Sequence, residues 1–333
     1  MKRSIKIALW ILIPICILAS IGVGMTYYYI FSPATNVSTE NTILIYPNEP
    51  IDSTYAHLKQ KTLSPKVLKG LRLLTSYRKT EHFKPGHYIL NGQSPARFVF
   101  IQLTRGYQTP IELTFTAKRD IHEAAEDIAS QLMISTESVN SILQDTTALY
   151  WCLANTYEVY WTITPSQLKA RLQKEYDAFW TKRRKDLAKK QGLTTQEVTT
   201  LASIVQEESN NKEEQPIIAG LYMNRLRIGM PLQADPTIKY AVGDWTIRRV
   251  LNKHLAYDSP YNTYKHVGLP PSPIRMVSTQ AIDAVLHAPK HPYLYMCAKE
   301  DFSGTHRFAK TLSEHNRNAR LYRKALNRRK VYK

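Results

Sequence analysis

The chain of 333 residues is 43% hydrophobic, enough to bury a core and form two or three domains, which excludes a mainly disordered polypeptide. A formal charge of +18 favours encounter with anionic surfaces, whether nucleic acid, anionic lipid or acidic wall polymer. The three cysteines, Cys16, Cys152 and Cys297, have neither the paired spacing of a zinc site nor the density of a disulfide framework, so no metal or cofactor is expected.

From Ile7 to Met25 the run IALWILIPICILASIGVGM carries no charge, and TYYYIF extends it to Phe31. A hydrocarbon core needs roughly 20 such residues, so this is read as a membrane span. Lys2, Arg3 and Lys6 precede the span and no Lys or Arg follows until Lys59, which places the N-terminus in the cytoplasm and the body outside. Tyr27, Tyr28 and Tyr29 fit an interfacial belt. A cleaved signal peptide is the alternative, although its apolar region is shorter, about 7–15 residues. A body facing away from the cytoplasm also argues against nucleic acid as a partner.

SPATNVSTEN, residues 32–41, reads as a short tether. The folded body begins near Thr42 with the strand TILIY, continues through two helices in IDSTYAHLKQKTLSPKVLKGLRLLTSY, and reaches a second strand, GHYIL. A helix follows in SPARFVFIQLTRG, with Ser94 as N-cap and Pro95 at the first helical position. A strand in IELTFTA and further helices to about Gln144 complete an α+β stretch, 42–145, with no evident chemistry. Its strand–helix–helix–strand order resembles a LysM-like carbohydrate-binding module, and a spacer fits it equally well. The charged stretch TPSQLKARLQKEYDAFWTKRRKDLAKK, with Leu168, Leu172 and Tyr176 four apart, reads as a solvated helical connector.

Thr194 with Glu197 three positions later is a capping-box pattern, so a helix is expected to start at Thr195. Val198, Leu201, Ala202 and Val205 then define one apolar face, and three residues further along that face lies Glu208. Glu207 continues the polar line of Thr200 and Ser203. Glu208 is therefore expected at the edge of the core and Glu207 in solvent. Desolvation and the negative end of the helix dipole would both push the Glu208 pKa upward, suiting it to donate a proton near neutrality. A helix that ends a turn early, with both glutamates solvated, is the plain alternative.

A second helix is expected to stop at Gly229, and Asp235 before Pro236 marks another helix start. Read together, ASIVQEES, NRLRIGMPLQADPT, YNTYKHVGLPPSPI and HRFAKTLSEHN closely resemble, in order and spacing, the endolytic murein transglycosylase family (MltG, YceG-like) over about positions 146–326. The resemblance implies a single-pass inner or cytoplasmic membrane protein, N-terminus in the cytoplasm. Its extracytoplasmic domain would cleave nascent glycan strands between MurNAc and GlcNAc without water. That leaves 1,6-anhydroMurNAc ends and releases or terminates strands near peptidoglycan synthases, its expected partners besides the strands. The fold class expected is α+β: an N-terminal transmembrane helix (1–31), the tether (32–41), the small LysM-like module (42–145), and a mainly helical catalytic domain with a short β-hairpin (146–333).

The family's acid/base glutamate falls on Glu208, the residue that helical phase selects. A hydrolase needs a second carboxylate roughly 5–9.5 Å away, whereas intramolecular ring closure needs one group that gives a proton and takes one back. Tyr261, Asn262, Thr263 and Tyr264, followed by Gly268, Leu269, Pro270 and Pro271, form a donor-rich loop suited either to a sugar cleft or to plain packing. Gln233 and Asp235 lie where the family has polar groups; Asp235 would orient substrate, but its simplest role is N-cap for the helix begun by Pro236. Asn224 sits late in its helix beside Arg225, which would pair with Glu208, with a muramyl lactate carboxylate, or in a structural ion pair. His306, between the strand YLYMCA and a helix starting near Thr311, would contact substrate or serve as a hydrogen-bonded core histidine.

Two departures from the family pattern stand out. Leu153, Ala154, Asn155, Thr156 and Tyr157 replace Phe-Pro-Asp-Thr-Tyr, and the lost proline puts that loop's conformation in doubt. Gln206 and Glu207 replace an acid–base pair, which fits solvated positions. The C-terminal RNARLYRKALNRRKVYK is basic and without acids, a face for anionic lipid or wall polymer, or a solvated tail. A hydrolytic muramidase and a noncatalytic glycan-binding scaffold are the alternative functions.

Overall fold

The computed structural model describes residues 2–33, 41–60, 63–91, 93–144, 147–247 and 249–329. It is mainly helical, with three short antiparallel or paired strand sets, and divides into two compact units. The first comprises residues 1–113 and 158–163; the second comprises 114–157 and 164–333. The units divide after Leu113, so the helices between 121 and 143, grouped by the sequence with the N-terminal module, fall in the second unit. Most of the tether, 34–40, and the last residues, 330–333, lie outside the described residues.

In the first unit, α1 (Lys2–Phe31) contains the segment Leu9–Phe31, mean hydropathy 2.2, long and apolar enough to cross a membrane. The body follows as β1 (Asn41–Ile45), α2 (Ile51–Gln60), α3 (Pro65–Arg78), β2 (Gly86–Leu90) and α4 (Ala96–Arg105). β1 and β2 pair antiparallel with Ile43 opposite Tyr88, and the inward side chains Ile45, Leu58, Val67, Leu71, Tyr88 and Leu103 form a core from which water is excluded. The strand–helix–helix–strand order expected from the sequence is thus present. One detail differs: the cap of α4 is Pro95 itself, extended and without a side-chain bond, and Ser94 does not cap it. Ser64 is the hydroxyl that does cap a helix here, accepting from the Val67 amide at the start of α3.

β3 (Ile111–Thr114) pairs with β4 (Thr156–Val159), and the chain changes unit within these strands. The second unit otherwise holds α5 (Ile121–Ala129), α6 (Thr136–Leu143), α7 (Ala148–Trp151), α8 (Pro165–Phe179), α9 (Lys182–Gln191), α10 (Thr195–Glu208), α11 (Gln215–Arg227), α12 (Asp235–Val242), α13 (Asn252–Leu255), α14 (Thr279–Leu286), β5 (Tyr295–Ala298), β6 (His306–Ala309) and α15 (Leu312–Arg328). β5 and β6 form the expected hairpin, with Ala298 opposite His306.

The stretch 164–190 is not a solvated connector. It breaks into α8 and α9 at Trp180, and Leu168 and Leu172 are fully buried, because α8 packs on α6 and α7 while α9 packs on α10 and α14. The loop at 153–157, left uncertain by its lost proline, is held instead by backbone bonds from Ala154 to Val277 and from Phe115 to Asn155, with the Phe115 and Tyr157 rings stacked at 5.4 Å.

α10 is the central element, packed against α7, α9, α11, α12 and α14. Its capping box forms as expected: the Thr194 hydroxyl accepts from the Glu197 amide, and the Glu197 carboxylate accepts from the Thr194 amide at 2.7 Å. Val198 through Val205 are all buried. The polar line of Thr200 and Ser203 is therefore inside too, and stays satisfied locally. The Ser203 hydroxyl donates to the Thr200 carbonyl at 2.7 Å and accepts from the Ile274 amide at 3.0 Å.

Candidate functional site

α10 ends at Glu208 because Ser209 leaves the helix in an extended conformation and is then pinned from three sides. Its hydroxyl donates to Glu214 at 3.0 Å and accepts from the Asn211 amide at 3.1 Å, and its carbonyl accepts from Gln215 Nε2 at 2.9 Å. The Glu208 side chain thereby projects, half-buried, into a cleft of about 320 Å³. The walls come from α11 through Tyr222 and Arg225, from the lead-in to α12 through Gln233 and Asp235, and from Tyr264, the β5–β6 hairpin and the first turn of α15.

Tyr222 lies on α11 and donates to Glu208 Oε1 at 2.6 Å. Burial is the main influence on the carboxyl and raises its pKa to about 7. The Tyr222 bond opposes this by favouring the carboxylate, Asp235 and Glu207 add to the rise through their negative charge, and His306 counteracts it. The acid is thus balanced between protonated and ionised forms near neutrality.

The expected residues divide into two sets. Glu208, Arg225, Gln233, Asp235, Tyr264 and His306 all line the cleft. Asn224, Tyr261, Asn262 and Thr263 do not; their polar groups hold the walls. Asn224 Nδ2 donates to the carbonyls of His291 at 2.6 Å and Tyr293 at 3.0 Å. Asn262 is fully buried and donates to the carbonyls of Leu255 and Tyr257, while Tyr261 shares a 2.6 Å bond with Ser272. Thr263 accepts from the Ala234 amide at 3.0 Å and lies 2.8 Å from the Thr237 hydroxyl, and its carbonyl accepts from the Gln233 amide. These bonds fix the segment that presents Gln233, whose φ of 49° is left-handed.

Three readings of single residues need correction. Asp235 is not an N-cap: α12 is capped at Ala234 with no side-chain bond, and Asp235 Oδ1 instead accepts from the Tyr264 hydroxyl at 2.6 Å. Arg225 does not pair with Glu208, since its Nε donates to the Leu294 carbonyl at 2.7 Å and its Nη1 to the Leu232 carbonyl. Glu207 is not solvated. Its side chain is 3% exposed and accepts from Arg119 Nε at 2.8 Å and from Arg275 Nη1, and the neighbouring Gln206 accepts from the Ser278 amide and hydroxyl.

Tyr222 and Glu214 are the residues that sequence reasoning passed over. Glu214 is buried and holds His306 twice, accepting from its amide at 2.6 Å and lying 2.9 Å from its Nδ1. Tyr295, Met296, Cys297, Leu312 and His315 also line the cleft. Burial and the Arg225 charge both push the His315 pKa down, so this ring is neutral at pH 7. A signal for Tyr222 did exist: a tyrosine within the otherwise apolar IIAGLYM needs a partner for its hydroxyl once buried.

A profile of the YceG-like family matches residues 43–321. The chain belongs to the YceG-like family. Among curated relatives, the endolytic murein transglycosylase of Bacillus subtilis (strain 168) is 44% identical over 134 residues, which is 40% of this chain and 36% of the relative. The protein of the same name from Streptococcus pneumoniae serotype 2 (strain D39) is 37% identical over 134 residues, 39% of this chain and 24% of the relative. The matching segment spans well under half the length of either relative. A crystal structure described as a yceG-like protein of Listeria monocytogenes aligns with a TM-score of 0.52 and 26% identity, covering 84% of this chain and 99% of that one.

In this YceG-like chain no group of three or more His, Cys, Asp or Glu suited to a metal ion occurs among the described residues. Cys152 and Cys297 are both free thiols, the first buried and the second half-buried. The chemistry available in the cleft includes one balanced carboxyl, a phenol on it, a nearby carboxyl in Asp235, the Arg225 guanidinium, and an imidazole fixed by Glu214.

Proposed function

We propose that this protein is a membrane-anchored peptidoglycan lytic transglycosylase in which Glu208 is both acid and base. The single observation that carries this reading is the half-buried Glu208 carboxyl, pKa about 7, held by Tyr222 in a polar cleft. A carboxyl so balanced gives up a proton and takes one back at neutral pH. The names of the curated relatives supply the substrate class.

In the proposed reaction Glu208 protonates the glycosidic oxygen between MurNAc and GlcNAc as the bond to the anomeric carbon breaks. The C6 hydroxyl oxygen of the same MurNAc then bonds to that carbon, and its proton passes to the Glu208 carboxylate. No water is consumed, and a 1,6-anhydroMurNAc end remains. Ring closure is intramolecular, so orientation supplies much of the rate. Arg225, Gln233, Asp235, Tyr264 and His306 are the proposed substrate contacts, joined by Tyr222, and Asn224, Tyr261, Asn262 and Thr263 support the walls.

Asp235 gives specific ground for a second reading, since a second carboxylate in the cleft is what a muramidase would use with water. Digestion of purified glycan strands in oxygen-18 water separates the two: unlabelled anhydro ends support the transglycosylase, and labelled reducing MurNAc ends support the hydrolase.

The apolar length of α1 supports a single-pass anchor in the cytoplasmic membrane, and the charges that precede it support a cytoplasmic N-terminus. Nascent strands are then the accessible substrate and peptidoglycan synthases the neighbours on the same membrane. The β1–α2–α3–β2 order supports a LysM-like, carbohydrate-binding role for the first unit.

A further inference from the structure

The C-terminal end of α1 packs against α3 and α4 within the first unit. At Gly70 on α3 the approach is tight: a Cβ there would stand 2.3 Å from the Tyr29 carbonyl oxygen and 2.6 Å from the Ala96 Cβ. Only a residue without a side chain lets the two backbones meet there. Cations of α3 and α4 cover the aromatic end of α1: Lys66 Nζ lies 4.0 Å from the Tyr28 ring centre, Lys69 4.3 Å from that of Tyr29, and Arg97 5.4 Å from that of Phe31.

Beside this contact Thr26, Ile30 and Phe31 of α1, with residues of α3 and α4, enclose a groove of about 810 Å³. It is lined by the apolar Leu73, Leu74, Phe100 and Ile101 and, at its exposed rim, by Arg78, Arg97 and Arg105, with no acid among the lining residues. Tyr77 on the rim is 81% exposed, with the Arg78 guanidinium 5.7 Å from its ring centre. Such exposure of a large aromatic group beside cations suits the boundary between a bilayer and water.

Depth along α1 points the same way. Leu9–Phe31 is 23 residues, about 34 Å of helix against a hydrocarbon core of about 30 Å. Thr26 is five residues from Phe31, so the groove occupies roughly the last 8 Å of the apolar helix, which run from the outer hydrocarbon into the lipid headgroups. The groove therefore opens where acyl chains end and phosphates begin.

We propose that this groove binds an anionic phospholipid, its acyl chain over Leu73, Tyr77 and Ile101 and its phosphate on Arg78, Arg97 and Arg105, so that the first unit is seated on the membrane surface. The inference rests on α1 being a membrane anchor. Charge selects the occupant: three arginines with no acid on the rim match a phosphate, and the apolar lining continues from the membrane helix itself.

The test uses the full chain in nanodiscs whose lipids carry brominated acyl chains, which quench tryptophan on contact. Trp10, within α1, reports the anchor by comparison of the wild type with Trp10→Phe. Tyr77→Trp reports the groove by its added emission. The expected result is quenching of both, with the Tyr77→Trp signal quenched severalfold more when the brominated lipid is phosphatidylglycerol than when it is phosphatidylcholine. The combined Arg78→Gln, Arg97→Gln and Arg105→Gln variant should abolish that preference. Quenching of Trp10 without quenching at position 77 overturns the inference and leaves the anchor standing. Equal quenching at position 77 by both lipids overturns the anionic lipid as occupant. Unquenched Trp10 overturns the anchor reading, and the groove proposal with it.

Discussion

Tyr222 on α11 donates a 2.6 Å hydrogen bond to Glu208 on α10, and this bond works against the effect of burial on the same carboxyl. Burial favours the neutral acid and the phenol favours the carboxylate. Together with the smaller influences of Asp235, His306 and Glu207 they leave the group at about 7, where it can serve in both directions of a proton transfer.

Removing the phenol should tip that balance. Tyr222→Phe is expected to raise the Glu208 pKa further, moving the alkaline limb of the pH profile for strand cleavage to higher pH. The rate at neutral pH should fall roughly tenfold or more, since a hydrogen bond to a charged group is worth about 1.5–3 kcal/mol. A pH–rate series on purified glycan strands measures both, and an unmoved limb would mean that the phenol does not act on Glu208.

Asp235→Asn should move the same limb the other way. Asp235 raises the Glu208 pKa by its charge, so its neutralisation lowers it and cleavage is lost at a lower pH. The amide oxygen can still accept from Tyr264, which now bonds to Asp235 at 2.6 Å, and the cleft wall is kept. Opposite displacements in the Tyr222 and Asp235 variants are the signature; parallel displacements would contradict it.

The raised pKa also has a cost in stability with a definite sign. Between the ordinary value of 4.5 and about 7, the folded protein holds a proton on Glu208 that the unfolded chain has released. Stability therefore falls as pH rises through that window, by roughly 3 kcal/mol in all, because the stability slope follows protons bound unfolded minus protons bound folded. Glu208→Gln escapes this loss. Its melting temperature should match the wild type near pH 4 and exceed it at pH 8, and equal values at both would refute the burial of the carboxyl.

Glu207→Gln should behave differently from Glu208→Gln. It strips the counter-charge from Arg275, whose side chain is only 12% exposed, and is expected to cost about 3 kcal/mol in urea unfolding. Adding Arg275→Met should recover part of that. A Glu207→Gln protein as stable as the wild type would show that the ion pair contributes nothing.

Helix phase sufficed to place Glu208 at the edge of the core because the capping box fixes where α10 starts, and each later residue's direction follows from that start. The same reading failed for Glu207, since it assumed that a helix has one wet face. α10 has neighbours almost all round, and its polar residues are satisfied inside, by Arg119 and Arg275 for Glu207 and by Ser278 for Gln206. The connector reading of 164–190 failed for a related reason. Lys and Arg dominate its composition, yet two leucines four apart, Leu168 and Leu172, are enough to seat α8.

The donor-rich loop around Asn262 misled in another way. Side chains that would suit a sugar also suit the backbone of a loop without regular structure, and Asn262 and Thr263 bond there to Leu255, Tyr257 and Ala234. Of that string only Tyr264 reaches the cleft. Composition alone cannot tell which donors face inward, because that depends on contacts 29 residues distant in sequence, as between Tyr264 and Asp235.

Mass spectrometry of glycan-strand ends, after incubation with the full chain in detergent, tests the central claim most directly when the wild type is compared with Glu208→Gln at a pH where both remain folded. The expected result is 1,6-anhydroMurNAc ends from the wild type and none from Glu208→Gln. Anhydro ends persisting in Glu208→Gln, or reducing MurNAc ends from the wild type, would contradict it.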